Sequence, residues 1–153
     1  KSLCASCHGA DGKGLAIGGA TMAAPPLNDS PRLAFLEKDN TIRILLHGLE
    51  GPIDGKQYSS VMPAMHENSD EWIASVVSYI RYEFGGRPPR NPNYIPGMAL
   101  PAENHEAGFT VRKTISPVVT PEEVKQLREE TSERNTAWTL EELPSTSKSE
   151  AAQ

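Results

Sequence analysis

The five residues Cys4-Ala5-Ser6-Cys7-His8 constrain this chain more than any other stretch. Two thiols three positions apart project to the same side of a tight helical turn, and a histidine follows at once. This C-x-x-C-H pattern is the attachment signature of c-type haem. Each thiol can add to a vinyl group of the porphyrin, and the imidazole then lies under the ring, aimed at the iron. The motif therefore predicts one covalent haem c, held by the thioethers of Cys4 and Cys7, with His8 as an axial iron ligand.

Two other interpretations of the cysteine pair are weaker. A thioredoxin-like redox pair needs a βαβ context, and a Cys-rich zinc site needs a second ligand cluster. The chain has 2 cysteines in all, so neither requirement is met. Because both thiols are assigned to haem, no disulfide framework is predicted.

The bulk composition limits the partners and the domain count. A chain of 153 residues has room for one domain, or for a small domain with a long appendage. The 13 prolines, many of them after residue 86, favour the second arrangement. The net charge of −5 argues against nucleic acid or an anionic membrane surface as a partner. No apolar run approaches the roughly 20 residues needed to cross a bilayer, so no membrane span is predicted.

Haem of this kind is attached outside the cytoplasm, which predicts a periplasmic or otherwise extracytoplasmic location. No signal peptide precedes the motif, and only Lys1, Ser2 and Leu3 come before Cys4. We therefore expect that an export signal has been removed, or that the chain is a piece of a longer one.

The stretch after the motif has the composition of a tightly turning loop. Glycine is dense from Gly9 to Gly19, which favours backbone with positive φ that can approach a flat cofactor. The segment Ala23-Ala24-Pro25-Pro26-Leu27 should be extended, because a residue before proline is disfavoured in the α region. A backbone carbonyl here could accept the proton on the far nitrogen of His8, as such bonds fix a ligating imidazole. An ordinary loop is the alternative.

Three helices are predicted before residue 86. A short one covers residues 31 to 36, with Pro31 in its first turn. The next begins at a cap, Asp39 or Asn40, and is ended by Gly48 and Gly51-Pro52; its apolar face comprises Ile42, Leu45, Leu46 and Leu49. His47 lies on it and is interpreted as a surface or pocket residue rather than a ligand. The third starts at Asn68 or Ser69 and stops at Gly85-Gly86. Its apolar face comprises Ile73, Val76, Val77, Ile80 and Phe84.

The sequence Val61-Met62-Pro63-Ala64-Met65 precedes this third helix. A thioether is a soft neutral donor that suits haem iron opposite histidine and raises its reduction potential. Met62 is therefore the predicted sixth ligand, with Met65 as the fallback and His66 or an open site as further alternatives. Methionine is also a common core filler, which is the plain alternative for either residue. Trp72 and Tyr79 could reach the haem from the helix, or could be ordinary core aromatics.

The chain changes character after residue 86, and four segments are predicted. Residues 1–86 form the haem domain, and residues 87–118 form an extended Pro-rich strap. Residues 119–143 form a helical appendage that starts at Thr120-Pro121-Glu122-Glu123, runs to about Arg134, and ends in a turn from Thr139 to Leu143. Residues 144–153 are small and polar and should be disordered. We expect the strap to be ordered and to pack on the haem domain or on a partner domain.

Residues 1–86 resemble class I cytochrome c of the bacterial periplasmic type. The resemblance lies in Cys4-Ala5-Ser6-Cys7-His8-Gly9, in Ala24-Pro25-Pro26-Leu27, in Tyr58 followed by Val61-Met62-Pro63, and in Ser69-Asp70-Glu71 leading to Ile80-Arg81. It implies an all-α, cytochrome c-like haem domain that transfers electrons and is not itself an enzyme. Carried over residue by residue, it implies axial ligation by His8 and Met62, and a haem pocket that includes Pro25, Tyr58 and Trp72.

The chain departs from that family at its start, where the helix that normally precedes the haem motif is essentially missing. The apolar face of residues 73 to 84 should therefore lack part of its usual cover. Truncation of the chain explains this most simply. The alternative is that a partner, an upstream domain or the C-terminal tail supplies the missing surface.

The predicted partners follow from a second resemblance. Residues 43 to 85 look like cytochrome units that accompany periplasmic dehydrogenases of alcohols and sugars. Residues 119 to 143 are similar to tails of large bacterial proteins with sugar-dehydrogenase-like propellers. A dehydrogenase, separate or attached, is thus the expected electron donor, and a respiratory-chain component the expected acceptor. We expect an apolar rim of small residues, Ala23 to Pro26 and Val61 to Ala64, to let such a partner approach the exposed haem edge. Two other functions stay open: a haem enzyme or gas sensor with a labile Met62, and a module in which haem mainly stabilises a small fold.

Overall fold

The computed structural model describes residues 2–19, 21–28, 30–33, 38–85 and 118–144. The predicted strap, apart from Val118, and residues 145–153 of the predicted tail lie outside these ranges. The described chain is mainly helical, as predicted, and also contains one small hairpin. Its elements are α1 (Ser2–His8), β1 (Ala16–Gly18), β2 (Thr21–Met22), a short 3-10 helix (Pro31–Leu33), α2 (Lys38–His47), α3 (Asp70–Phe84) and α4 (Pro121–Glu130).

Helix α1 carries the Cys4-to-His8 motif on helical backbone, as the spacing predicted. The helix ends at His8 because Gly9 adopts a φ of +74°, a left-handed conformation that glycine enters without steric cost. The amide of Gly9 still donates to the carbonyl of Ala5, at 3.0 Å, and so closes the last turn.

The hairpin of β1 and β2 was not predicted. The two strands are antiparallel, with Ala16 opposite Met22, and the register is irregular between Ala16 and Gly18. The chain then runs beside the motif, because the amide of Ala23 donates to the carbonyl of Leu15 at 2.8 Å. Strands of three and two residues are too short to show the alternation of apolar and polar residues by which a strand is recognised.

The predicted bounds of the next two helices need correction. The helix predicted for residues 31–36 is a 3-10 turn of Pro31–Leu33, and residues 34–36 lie outside the described ranges. Helix α2 begins at Lys38, so that Asp39 and Asn40 lie inside its first turn rather than at its cap. It ends at His47, because Gly48 has a φ of +86° and turns the chain away before Leu49.

Helix α3 begins at Asp70, directly after Ser69, which was one of its two predicted caps. The side chain of Ser69 accepts a hydrogen bond from the amide of Trp72, and Asp70 and Glu71 lie in the first turn, where the helix dipole favours acidic groups. The helix ends at Phe84, and the amide of Gly85 donates to the carbonyl of Arg81 at 3.0 Å.

Helix α4 starts with the predicted capping box. The Thr120 hydroxyl accepts from the amide of Glu123, and the Glu123 carboxylate accepts from the amide of Thr120. The helix stops at Glu130 and does not continue to Arg134 as predicted. At its end the amide and the hydroxyl of Thr131 both donate to the carbonyl of Leu127, at 3.1 and 2.7 Å.

One hydrophobic core joins α2, α3 and α4. Helix α4 packs on both of the other helices and covers part of the α3 face that the sequence left without its usual cover. Of the predicted α3 face, Ile73, Val77 and Ile80 are buried, whereas Val76 and Phe84 are only partly buried. The other buried members of this core are Leu33, Ile42, Leu45, Leu46, Ala74, Val119, Val124 and Leu127.

A second, smaller cluster lies beyond the C-terminal end of α2. Leu49, Ile53 and Trp138 are its buried members, and Met62 touches both this cluster and the main core. Trp138 follows α4 in the chain, so this cluster joins the loop after α2 to the C-terminal part of the described sequence. The turn after Trp138 is the predicted one, with the amide of Glu142 donating to the carbonyl of Thr139 at 3.3 Å.

Candidate functional site

A cavity of about 490 Å³ lies between α1, α2, α3 and the loops that connect them. This volume is within the range of sites that hold cofactors and other small molecules. The lining is largely apolar, with Leu27, Leu33, Leu45, Leu49, Ile53 and Ile80 among the wall residues. The same walls include every site residue that the sequence singled out: Cys4, Cys7, His8, Pro25, Tyr58, Met62, Met65 and Trp72.

His8 is held by the backbone of the Ala23-to-Leu27 segment. Its Nδ1 atom lies 2.9 Å from the carbonyl oxygen of Pro25. Because a carbonyl can only accept, the Nδ1–H of His8 must be the donor, and the free lone pair is then on Nε2. A neutral imidazole with an oriented Nδ1–H is the form in which histidine binds metal. The hydrogen bond expected for this segment is therefore present.

The thiols of Cys4 and Cys7 are half-buried and free, and both line the cavity. Helix α1 places them one helical turn apart, on the side that also carries His8. The hydroxyl of Ser6, between them, donates to the carbonyl of Leu3 at 2.7 Å and helps to close this short helix. The arrangement presents two sulfur nucleophiles and one imidazole to a single space.

Met62 reaches the cavity from a loop that is tied to α2 by its backbone. The amide of Leu49 donates to the carbonyl of Met62 at 3.1 Å, and the amide of Met62 donates to the carbonyl of Leu49 at 3.0 Å. Further along the loop, the amide of Met65 donates to the carbonyl of Leu45 at 2.8 Å. Both methionines are half-buried and line the cavity, so both thioethers are available to it.

The Met62 segment is also joined to the His8 side of the cavity. The amides of Ser59 and Ser60 donate to the carbonyls of Met22 and Ala23, at 3.2 and 3.1 Å. These bonds connect the loop before Met62 to the chain that leads into Pro25. The two candidate axial side chains therefore lie on segments that share a continuous backbone network.

Several candidates that the sequence raised lie away from the cavity. The Nε2 atom of His47 lies 2.7 Å from the hydroxyl oxygen of Thr131, and His66 pairs with Glu67 at 2.9 Å. Tyr79 stacks edge-on against Phe84, with ring centroids 6.3 Å apart. None of His47, His66 and Tyr79 contributes to the cavity wall.

The charged side chains on one side of the cavity were not predicted from the sequence. The guanidinium of Arg32 donates to both carboxylate oxygens of Asp54, at 2.6 and 3.0 Å. This hydrogen bonding, followed by the charge of Arg32, lowers the pKa of Asp54 below its ordinary value. Glu50 and Lys56 also line the cavity, so two acids and two bases balance there. The sequence signal was slight, since these charges lie on both sides of α2 and are spread over 25 positions.

The rim of the cavity differs from the expected one. Ala23 and Ala24, which we expected at an exposed apolar edge, are buried, because they lie beneath the hairpin and the Ser59-Ser60 segment. Val61, in contrast, is 59% exposed, and Pro63 and Ala64 are exposed as well. The uncharged part of the rim is therefore narrower than predicted and is centred on residues 61 to 64.

The residues present fit a covalent haem. The cavity joins two free thiols, an oriented imidazole and a thioether in an apolar surround, which is the donor set that c-type haem requires. A second possibility, a site built from ionisable ligands, has no support: within the ranges that the structure covers, no three His, Cys, Asp or Glu side chains are grouped to bind a metal ion.

Comparison with known proteins agrees with this site. The sequence model of one family, described as Cytochrome c, matches residues 1–83. The chain is also 32% identical over 87 residues to cytochrome c-552 of Thermus thermophilus. That alignment covers 54% of this chain and 63% of the relative, so the chain spans less than two thirds of the relative's length.

Helices long and apolar enough to cross a membrane do not occur in the described ranges.

The family match covers more than half of the chain and includes the motif, the Pro25 segment and Met62. Members of this family are electron carriers with one covalently attached haem c. The chain accordingly belongs to the cytochrome c family.

Proposed function

We propose that this chain transfers single electrons through a haem c bound to Cys4 and Cys7, with His8 and Met62 as axial ligands. The observation that carries the proposal is the convergence of these four side chains on one apolar cavity, with His8 already oriented by Pro25. When bound, the haem supplies an iron centre that alternates between the ferric and ferrous states.

The thiols provide the attachment. Cys4 and Cys7 would each hold the haem through one C–S bond, made by addition of the S–H across a vinyl double bond with no atom lost. Cys4 and Cys7 are suited to this by their separation of one helical turn and by their free, half-buried thiols. Attachment from a short helix also fixes the position of His8, which immediately follows Cys7.

The protein then sets the environment of the iron. His8 donates its Nδ1–H to Pro25, which keeps the ring in one orientation and increases the basicity of Nε2. The thioether of Met62 is a neutral, soft donor that raises the reduction potential. Apolar walls, including Leu45 and Ile80, exclude water and so favour the less charged ferrous state.

Electrons would enter and leave near residues 61 to 64. Val61, Pro63 and Ala64 are exposed and uncharged, and they flank the half-buried Met62. A surface of this kind allows close approach of a partner without a strongly charged contact, consistent with a net charge of only −5. We propose a periplasmic dehydrogenase, or an attached dehydrogenase domain, as the donor and a respiratory-chain component as the acceptor, in an extracytoplasmic location.

Spectra of the oxidised protein test the ligand set. The ferric protein should be low-spin and show the weak far-red band of a methionine–iron bond. Met62→Ala should abolish that band and lower the reduction potential, and Met65→Ala, the matched control, should leave both in place. The reverse outcome would assign the ligand to Met65. A five-coordinate, high-spin wild-type protein would instead favour a haem enzyme or gas sensor over an electron carrier.

A further inference from the structure

The C-terminal segment 118–144 contacts the part of the chain that carries Met62, although it lies outside the residues matched by the family. The first contact is made by Arg128 of α4. Its Nη1 donates to the carbonyl of His66 at 2.6 Å, and its Nη2 donates to the carbonyl of Asn68 at 2.9 Å. Its Nε donates to the carboxylate of Asp70, the first residue of α3, at 2.8 Å. One side chain thus holds the whole end of the loop from Met62 to Ser69, called here the Met62 loop.

A second contact reaches the start of the Met62 loop through Leu49. The amide of Trp138 donates to the carbonyl of Gly48 at 3.1 Å, and the amide of Glu50 donates to the carbonyl of Trp138 at 2.8 Å. Leu49 is paired with Trp138 on one side and with Met62 on the other. Trp138 is 9% exposed, and the guanidinium of Arg134 lies 3.6 Å from the centre of its ring.

The three hydrogen bonds of Arg128 are not what anchors α4. Val124 is fully buried in the main core and Leu127 nearly so, and these apolar groups account for the docking of the helix. A planar guanidinium that donates to two loop carbonyls and one carboxylate fixes their relative positions, since each bond requires a set direction. Arg128 therefore acts on the geometry of the loop more than on the burial of α4.

We infer that Arg128 is a positioning residue for the sixth iron ligand. It limits the opening of the Met62 loop and so keeps the Met62 thioether in the cavity. The inference rests on the proposed function, in which Met62 binds the iron. An external ligand can take that position only while the loop is open, so its apparent affinity scales with the open fraction. Removing the Arg128 bonds should increase that fraction without any change in the cavity itself.

Imidazole binding to the ferric holoprotein tests this. Arg128→Met keeps most of the aliphatic stem and removes the donors, and it should bind imidazole about tenfold more tightly, the equivalent of one lost charge-assisted hydrogen bond. Arg128→Lys keeps the charge but loses the planar set of donors, so its imidazole affinity should lie between those of wild type and Arg128→Met. Val124→Ala is the control: it weakens the same helix without touching the loop, and its imidazole affinity should stay within about twofold of wild type.

Hydrogen–deuterium exchange supplies a readout that does not depend on the ligand. In Arg128→Met, the amides of Met65 and Asn68 should exchange faster relative to the core amide of Val77, and in Val124→Ala they should not. Unchanged exchange and imidazole affinity in Arg128→Met, or equal increases in Val124→Ala, would overturn the inference. A wild-type protein without the methionine band would remove Met62 as the ligand, and the exchange rates alone would then decide whether Arg128 holds the loop.

Discussion

Leu49 and Met62 exchange both of their backbone hydrogen bonds, at 3.1 and 3.0 Å, so the second residue after α2 is joined directly to the proposed iron ligand. The junction depends on Gly48, whose φ of +86° turns the chain at the end of the helix. A Cβ atom at that position would meet the carbonyl oxygen of Met62. The glycine therefore allows the two segments to approach as closely as they do.

Gly48→Ala should accordingly weaken the far-red methionine band, because the new methyl group pushes the Met62 segment away. Gly55→Ala is the matched control, since Gly55 also has a positive φ, +72°, but a Cβ there meets nothing within 4 Å. Gly55→Ala should lower the free energy of unfolding by about 1–2 kcal/mol, through backbone strain alone, and leave the methionine band unchanged. Equal loss of the band in both variants would show that backbone strain, and not the contact with Met62, is responsible.

Removal of the buried Val124 side chain tests whether α4 belongs to the core of the haem domain. Val124→Ala should lower the free energy of unfolding of the holoprotein by about 2–3 kcal/mol, from the lost burial and the cavity that remains. Lys125→Ala, on the exposed side of the same helix, should change it by less than about 0.5 kcal/mol. Denaturant unfolding followed by circular dichroism measures both, and equal small effects would mean that α4 is not part of the cooperative unit.

The ion pair between Lys38 and Glu123 predicts a loss of stability in acid. Burial raises the pKa of Glu123, but the hydrogen bond from Lys38, the Thr120 backbone and the charges of Lys38 and Arg81 outweigh it, so that the pKa is lowered overall. A lowered carboxyl pKa stabilises the fold at pH values above the ordinary value of about 4.3, and this contribution disappears as the pH falls through the folded-state pKa.

Glu123→Gln should therefore be less stable than wild type at neutral pH, and the two should converge as the pH falls through the lowered pKa of Glu123. Thermal unfolding across this range measures the difference. Glu122→Gln removes the same charge from an exposed neighbour on the same helical turn and serves as the control. A difference between wild type and Glu123→Gln that does not shrink in acid would contradict the assignment.

His47 predicts a pH dependence near neutrality. Burial is the largest cause that lowers its pKa, and the charges of Arg134 and His66 add to it. The unfolded chain then binds more protons than the folded one just below the ordinary pKa of about 6.5, so stability falls as the pH drops through that region. The melting temperature of wild type should fall more between about pH 7.5 and pH 5.5 than that of His47→Gln. Equal falls in the melting temperatures of wild type and His47→Gln would contradict this role of His47.

The local elements of this fold were largely readable from the sequence, because their signals are local. The motif helix, the Ser69 cap and the Thr120–Glu123 capping box depend on residues within one or two helical turns of each other. The convergence of the motif with the Pro25 segment and Met62 was predicted from the chemistry of haem ligands, and the resemblance to the family implied the same residues. Helix ends were less predictable: Gly48 was among the residues predicted to end α2, but Leu49 was placed on the same helix, and α4 stops at Glu130 rather than near Arg134.

The contacts between distant segments could not be predicted in the same way. Arg128 bonds residues 58 to 62 positions away, and nothing in the periodicity of either segment specifies that pairing. The sequence did indicate that Arg128 would have a partner. Position 128 lies on the same helical face as Val124, and burying a charged group beside apolar residues is costly unless the group is paired. The β1–β2 hairpin and the Arg32–Asp54 pair were missed for the same reason, since tertiary contacts select them.

Mass spectrometry of the folded protein after tryptic digestion tests the central claim most directly. Cleavage after Lys1 and Lys13 yields a peptide of residues 2–13 that contains both cysteines and His8. This peptide should carry the added mass of one haem, the haem should resist extraction with acidified acetone, and neither thiol should react with an alkylating reagent. Recovery of a haem-free peptide in which both cysteines are alkylated, from protein whose haem is removed by acidified acetone, would contradict covalent attachment through Cys4 and Cys7.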